Sequence, residues 1–196
     1  MPRTGMEAIR REALVRAAIT EVGEVGMVDI TVARIAKRAG VSAALAHHYF
    51  GSKDRILFAA MRRILDEYGR SVKARYRDTT TPRERLRAII EASFSPDQFD
   101  SAVVAAWLAF YVQSQQKGEA GRLLVIYERR LRSNLVYALK QIVSKEAAHR
   151  IAAGLGSMID GFYLRAALQD FSTNRQSAID MTLEYLDLII AKETKE

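Results

Sequence analysis

The chain is 196 residues long, 49% apolar and 27% charged, a composition with ample material for a folded core. It contains no cysteine, which excludes disulfides, thiolate catalysis and cysteine-based zinc sites. The formal charge of +7 is unevenly placed: residues 1–78 carry 15 Lys/Arg against 9 Asp/Glu, and the remainder carries 15 against 14. A basic first third suits contact with a polyanion, although a merely solubilising basic surface has the same composition.

The opening MPRTGMEAIRREAL is charged throughout and lacks the apolar centre of a secretory signal. The longest uncharged run, residues 101–116, is short of the roughly 20 apolar residues that span a bilayer. A cytoplasmic protein with no membrane partner is expected. Helical spacing runs through nearly every segment and predicts an all-α fold, with helices near 7–25, 32–39, 43–50, 53–77, 82–94, 98–116, 119–143, 146–170 and 173–192. In the first, Leu14, Ala18, Val22 and Val25 form an apolar stripe opposite Arg10, Arg16 and Glu24, and Gly26 is placed to end it. The short GMVDITV reads as a connector. Thr81-Pro82-Arg83-Glu84 is a capping box with proline at the first helical position, and Ser95-Pro96-Asp97-Gln98 reads as a second use of the device.

The segment DITVARIAKRAGVSAALAHHYF has the grammar of a helix-turn-helix. Thr31 caps one helix, Gly40 ends it, Val41 fits the corner, and Ser42 caps a second helix that Gly51-Ser52 breaks. At 100° per residue, Ala46, Tyr49 and Phe50 share a narrow inner face. Ala44 and His48 then point outward, flanked by Leu45 and His47, with Ala43 at the leading end. Small residues let a backbone approach a groove, and imidazoles can donate to phosphates or base edges. A metal site on a helix needs ligands three or four residues apart, whereas His47 and His48 are adjacent and His149 lies far along the chain. Neither metal, cofactor nor catalytic constellation is expected. Arg34, Lys37, Arg38, Lys53, Arg3, Arg10 and Arg11 supply surrounding charge, and Lys53 follows the cap Ser52, where helix-terminal N–H groups can meet a phosphate. The candidate DNA contacts are Thr31, Arg34, Ser42, Ala43, Ala44, Leu45, His47, His48 and Lys53.

The stretch TVARIAKRAGVSAALAHHYFGSKDRIL resembles the DNA-binding module of TetR-family transcriptional regulators, with its capped helix, AGVS corner, recognition helix ending in an aromatic pair, and lysine soon afterwards. His47 stands where many members carry tyrosine at a phosphate-contacting position. SPDQFDSAVVAAWLAFYVQSQ, LLVIYERRLRSNL and MIDGFYLRAAL, with the opening segment, resemble the choline-responsive repressors of glycine-betaine synthesis within that family. The resemblance implies a cytoplasmic homodimer that represses osmoprotectant genes and is relieved by choline. It also implies residues 1–55 as the DNA-binding domain and 56–196 as an effector-binding and dimerisation domain.

In that second part, Val103, Trp107, Phe110, Tyr111 and Ser114 share one side of a helix. Trp107, Phe110, Tyr111, Tyr127 and Tyr163, with Asp160 or Glu91 as the negative charge, are the candidate ligand residues. A quaternary ammonium has no N–H to donate, so aromatic faces and a carboxylate are its natural partners. Aromatic residues at helical spacing equally make core, and Asp160 could instead pair with Arg165 or Arg129. Ile151, Leu155, Met158, Phe162 and Ala166, and again Ile179, Leu183, Leu186 and Ile190, form two stripes read as a dimer surface. Gly154, Gly156 and Gly161 are read as permitting close approach. The expectation is a repressor, not an enzyme, that leaves its operator on binding choline or a related cation. The alternatives are a regulator answering another small ligand, a small helical enzyme acting on a cationic substrate, and a nonspecific DNA-compacting protein.

Overall fold

The computed structural model describes residues 3–115, 118–168 and 174–194, and every regular element among them is a helix. In chain order these are α1 (Arg3–Asp29), α2 (Val32–Arg38), α3 (Ala43–Phe50), α4 (Lys53–Tyr76), α5 (Pro82–Ser93), α6 (Ser101–Ser114), α7 (Glu119–Leu139), α8 (Lys145–Ala167) and α9 (Arg175–Glu193). α1 is kinked at Gly26, whose φ of 73° leaves the helical region, and a further turn follows to Asp29. The expected helix limits at 116, 170 and 173 lie outside the described residues.

Capping chemistry sets most helix starts. Thr31, Ser42 and Ser52 accept from the backbone N–H three residues on, which starts α2, α3 and α4. Thr81 and Glu84 form the reciprocal capping box at α5, with Pro82 in its first turn. Two N–H groups of Thr80 and Thr81 hold the Glu84 carboxyl down at about 2. Ser95-Pro96-Asp97-Gln98, by contrast, does not cap α6. The Gln98 and Phe99 N–H groups both donate to the Ser95 carbonyl, and the buried Gln98 amide donates to the Ile64 carbonyl at 3.3 Å. An amide committed to α4 cannot return to Ser95, so the helix starts later, where Asp100 accepts from the Ala102 N–H at 2.9 Å.

Two apolar cores result. The smaller joins Leu14, Ala18 and Val22 of α1 with Ile35, Ala46, Ile56 and Ala60. The larger gathers α4 beyond Met61 with α5 to α9 around Leu86, Ile90, Phe94, Leu135, Ile151 and Leu155. α4 therefore runs through both. α6 also joins them: Ala105, Ala106 and Ala109 pack against the smaller core, while Trp107 and Phe110 enter the larger. Gly23 makes this contact close, because a Cβ there would lie 2.6 Å from Cα and Cβ of Ala102.

Gly23→Ala is accordingly expected to force α1 and α6 apart. Overpacking of this kind costs about 1–3 kcal/mol, a lowering of the melting temperature by roughly 2–12 °C in a chain this size. An unchanged or raised melting temperature would show that the joint is loose.

Of the two stripes read as a dimer surface, Ile151, Leu155, Ile179, Leu186 and Ile190 are buried in the subunit's own core, whereas Met158, Phe162, Ala166 and Leu183 are half-buried. α8 and α9 are apolar on more than one side, and the side rich in Ile and Leu fills the core first. Their outer faces keep Leu164, Leu168, Met181 and Leu188 exposed. Of the three α8 glycines, only Gly154 serves a close approach, to the Tyr185 hydroxyl; a Cβ at Gly156 or Gly161 would meet nothing within 4 Å.

Candidate DNA-contact surface and effector site

The corner between α2 and α3 is built by local chemistry. Gly40, at φ 67°, follows the last turn of α2, its N–H donating to the Lys37 carbonyl and that of Val41 to Ala36. α3 is then held by Ala46, which is fully buried, and by half-buried Tyr49 and Phe50. Ser42, Ala44, His47 and His48 are exposed on its outer side, with Ala43 and Leu45 half-buried at its flanks. Thr31 is exposed at the α2 cap, and Lys53 is half-buried at the start of α4. Arg34 is drawn the other way: its Nε donates to Glu21 of α1 at 2.9 Å, and Arg38 reaches Glu21 at 2.6 Å and also Glu24. Glu21 is buried, and its hydrogen bonds from Arg38 and Arg34 hold its carboxyl below the usual range against the effect of burial. The pair fastens α2 to α1.

The two histidines differ. The His47 Nδ1 lies 3.2 Å from the Gly51 carbonyl, which can only accept, so that ring carries its proton on Nδ1 and closes the end of α3. The His48 ring is exposed and only leans on Tyr49. His48 is thus the freer of the two for a partner.

Arg11 proves to be more than surrounding charge. Its Nη1 donates to the Tyr49 carbonyl at 2.7 Å, at the negative end of α3, and its guanidinium lies over the Tyr49 and Phe50 rings at 5.0 and 5.2 Å. Glu7 holds it from the other side at 2.8 Å. Arg11 and Tyr49 stand 38 positions apart and leave no spacing signal, so sequence reasoning missed this clamp. Arg11→Lys keeps the charge but loses the planar fork. It is expected to weaken operator binding about tenfold and to speed hydrogen exchange at Phe50 and Gly51. Weaker binding with unchanged exchange would make Arg11 a plain charge contact.

In the larger core the candidate ligand residues meet. The Trp107 ring centroid lies 4.8 Å from Tyr127, 5.6 Å from Tyr111, 5.9 Å from Tyr163 and 6.1 Å from Phe110. Tyr111 donates to Asp160 at 2.7 Å, and Tyr163 to the Ser93 carbonyl at 2.5 Å. Burial pushes the phenols of Tyr111, Tyr127 and Tyr163 far above their ordinary range, so all three stay protonated donors. Burial also raises Asp160, opposed by the Tyr111 hydrogen bond. The Trp107 indole N–H is buried without an acceptor among the described residues, which costs roughly 1–3 kcal/mol. Glu91 is elsewhere, 3.6 Å from Arg87 on its own helix. A cavity of about 200 Å³ opens beside this cluster, lined by Tyr127, Glu128, Arg132, Gly156, Ser157 and Asp160 among others. Glu128 was not among the expected residues, although it is the neighbour of Tyr127.

No group of three or more His, Asp or Glu that could hold a metal occurs among the described residues, and no described helix is long and apolar enough to cross a membrane. Residues 14–60 match the family described as bacterial regulatory proteins, tetR family. Residues 82–191 match the BetI-type transcriptional repressor, C-terminal domain. A Brucella anthropi protein named HTH-type transcriptional regulator BetI is 53% identical over 95% of this chain and 96% of its own length. The Rhizobium meliloti protein of that name is 46% identical over 95% and 92%. The solved TetR transcription regulator from Haloarcula marismortui superposes with a TM-score of 0.80 at 24% identity, over 91% of this chain and 97% of that one. A transcriptional regulator from Saccharomonospora viridis, solved in complex with choline, superposes at 0.76 with 20% identity, over 90% and 95%. TetR-family regulators bind operator DNA and small-molecule effectors. The chain belongs to the TetR family as a transcriptional repressor with a BetI-type carboxy-terminal domain, and it is not an enzyme.

Proposed function

We propose that the protein represses genes of glycine-betaine synthesis in the cytoplasm and leaves its operator when it binds choline. The observation that carries the effector is Asp160, a half-buried carboxylate that accepts from Tyr111 and lines, with the Tyr127 ring, a choline-sized cavity; Trp107 packs against the far side of Tyr127 and does not line it. Glu128 and Asp160 outweigh Arg132 around that cavity, which favours a cation. The trimethylammonium group takes the Tyr127 ring and the carboxylate, the ring contributing about 0.5–2 kcal/mol. Where the ligand parts the rings behind Tyr127, its hydroxyl oxygen accepts from the orphaned Trp107 N–H and removes the cost of that unmet donor. Choline's name is shared by the Saccharomonospora viridis complex and fits the BetI-named relatives.

The same reading assigns residues 1–55 to DNA binding and 56–196 to effector binding and dimerisation. Two subunits pair through the outer faces of α8 and α9, where Leu164, Leu168, Met181 and Leu188 are exposed. Each places residues 43–49 in a major groove of a pseudo-palindromic operator. A ligand that parts the rings around Trp107 moves α6, and α6 lies directly against α1 at Ala102 and Gly23. Release follows as a population shift, in proportion to choline's preference for the conformer whose reading helices are wrongly spaced.

Calorimetric titration separates the parts of this recognition. Choline should bind at least tenfold more tightly than 3,3-dimethylbutan-1-ol, its neutral isostere, and than tetramethylammonium, which lacks the hydroxyl. Equal binding of the neutral isostere would remove Asp160 from the account.

A further inference from the structure

Arg34 and Arg38 stand one turn apart on α2, the first helix of the helix-turn-helix, which in such motifs crosses the DNA backbone. Both are tied to α1. Arg34 Nε donates to one carboxylate oxygen of Glu21 at 2.9 Å, Arg38 Nε donates to the other at 2.6 Å, and an Arg38 Nη group donates to Glu24. We propose that Glu21 is a positioning residue that sets DNA specificity: it withholds Arg34 and Arg38 from the phosphate backbone, so that affinity comes from the operator contacts of α3 rather than from unselective attraction. The inference rests on α3 being the helix that reads the operator.

The charges at this contact balance. Two guanidiniums meet two carboxylates, which leaves Lys37 as the one cation of α2 without an ion pair among the described residues. Glu21 is buried, while both arginines remain exposed at the surface. Fastening α1 to α2 does not by itself require a charge at position 21, because a buried ion pair returns little net stability over a well-packed apolar side chain. What a carboxylate adds there is the cancellation of two cations beside the backbone.

Each arginine that reaches a phosphate strengthens binding to any DNA and steepens its salt dependence by about 0.9 in logarithmic slope. The gain is largest in unselective complexes, where the protein can roll until each cation finds a phosphate. In the operator complex α3 fixes the register, so arginines tied back toward α1 gain less when freed. Freeing the pair therefore narrows the ratio between operator and other DNA, the quantity on which action at one site depends.

Glu21→Gln keeps the shape and the hydrogen-bond acceptor and removes the charge. Fluorescence anisotropy with DNA from upstream of the coding sequence and with scrambled DNA of equal length, each over a range of salt, reads the effect. The variant is expected to bind scrambled DNA about tenfold more tightly at moderate salt, with a slope steeper by about 1–2, and upstream DNA only about two- to threefold more tightly. Adding Arg34→Gln and Arg38→Gln should abolish both the gain and the added slope. An unchanged slope, an equal gain on both DNAs, or a gain that survives the loss of both arginines would overturn the proposal. Should Glu21→Gln not fold, Glu21→Leu, which fills the same buried place without a charge, is held to the same results. Failure of both variants to fold would make Glu21 a structural anchor and overturn the proposal as well. Wild-type protein that binds the two DNAs alike would defeat the α3 reading, while the slopes still decide whether Glu21 withholds the arginines.

Discussion

Ala44→Glu is expected to weaken operator binding about 100-fold or more while leaving helix content and melting temperature unchanged. Ala44 is exposed on the outer face of α3, so glutamate meets no protein atom that must move. In the complex it faces phosphates and base edges at the closest approach of backbone to groove. A like charge at such a contact costs several kcal/mol, and each 1.4 kcal/mol is a factor of ten. The variant also distinguishes position from charge, since glutamate at exposed Lys192, far along α9, should change affinity only slightly at moderate salt. Similar losses at both positions would mean that binding follows net charge and that α3 reads nothing.

Asp160→Asn should lower choline affinity roughly thirtyfold, about 2 kcal/mol, and remove its dependence on pH. The magnitude is that of one partly buried charge pair at an effective dielectric near 20, reduced by its desolvation. The sign follows from burial, which raises the Asp160 pKa and so favours its neutral form in the empty protein. The stability tied to that raised pKa is fully present below the ordinary carboxylate range and is lost as pH rises through the raised value. At neutral pH the ionised Asp160 therefore costs the empty protein stability, and a bound cation offsets that cost. Choline affinity should fall as pH drops through the raised Asp160 pKa, and the asparagine variant should show a flat profile over the same window. Wild-type affinity that stays level across that window would separate choline from this carboxylate.

What the sequence makes legible is mostly local. Thr31, Gly40, Ser42 and Ser52 act within three or four residues of themselves, so the start and end of α2 and α3 can be placed from spacing alone. The outward face of α3 follows from the same periodicity, because the helix is short and only one side carries large apolar residues. Residues far apart are harder. Trp107 and Tyr163 could be named as candidates by type, but their contact across two helices is a product of core packing. The Arg11 clamp on Tyr49 and the Arg34 and Arg38 pairs with Glu21 also join distant positions, so these arginines read as free surface charge until the fold brings their partners near. α8 and α9 mislead for a different reason: apolar residues on more than one face leave the inward side undecided until the core is assembled. Ser95 has the right neighbours for a cap and is overruled by Gln98, whose amide is more useful buried against the Ile64 carbonyl.

The central claim joins the two ends of the molecule: a cation held at Asp160 releases DNA held at α3. The most direct measurement is a titration of the protein against labelled DNA from upstream of its own coding sequence and against scrambled DNA of equal length, each with and without saturating choline. Tight binding to the upstream DNA alone, weakened at least tenfold by choline, is the predicted result. Equal affinity for the two DNAs, or upstream binding that choline leaves unchanged, would contradict it.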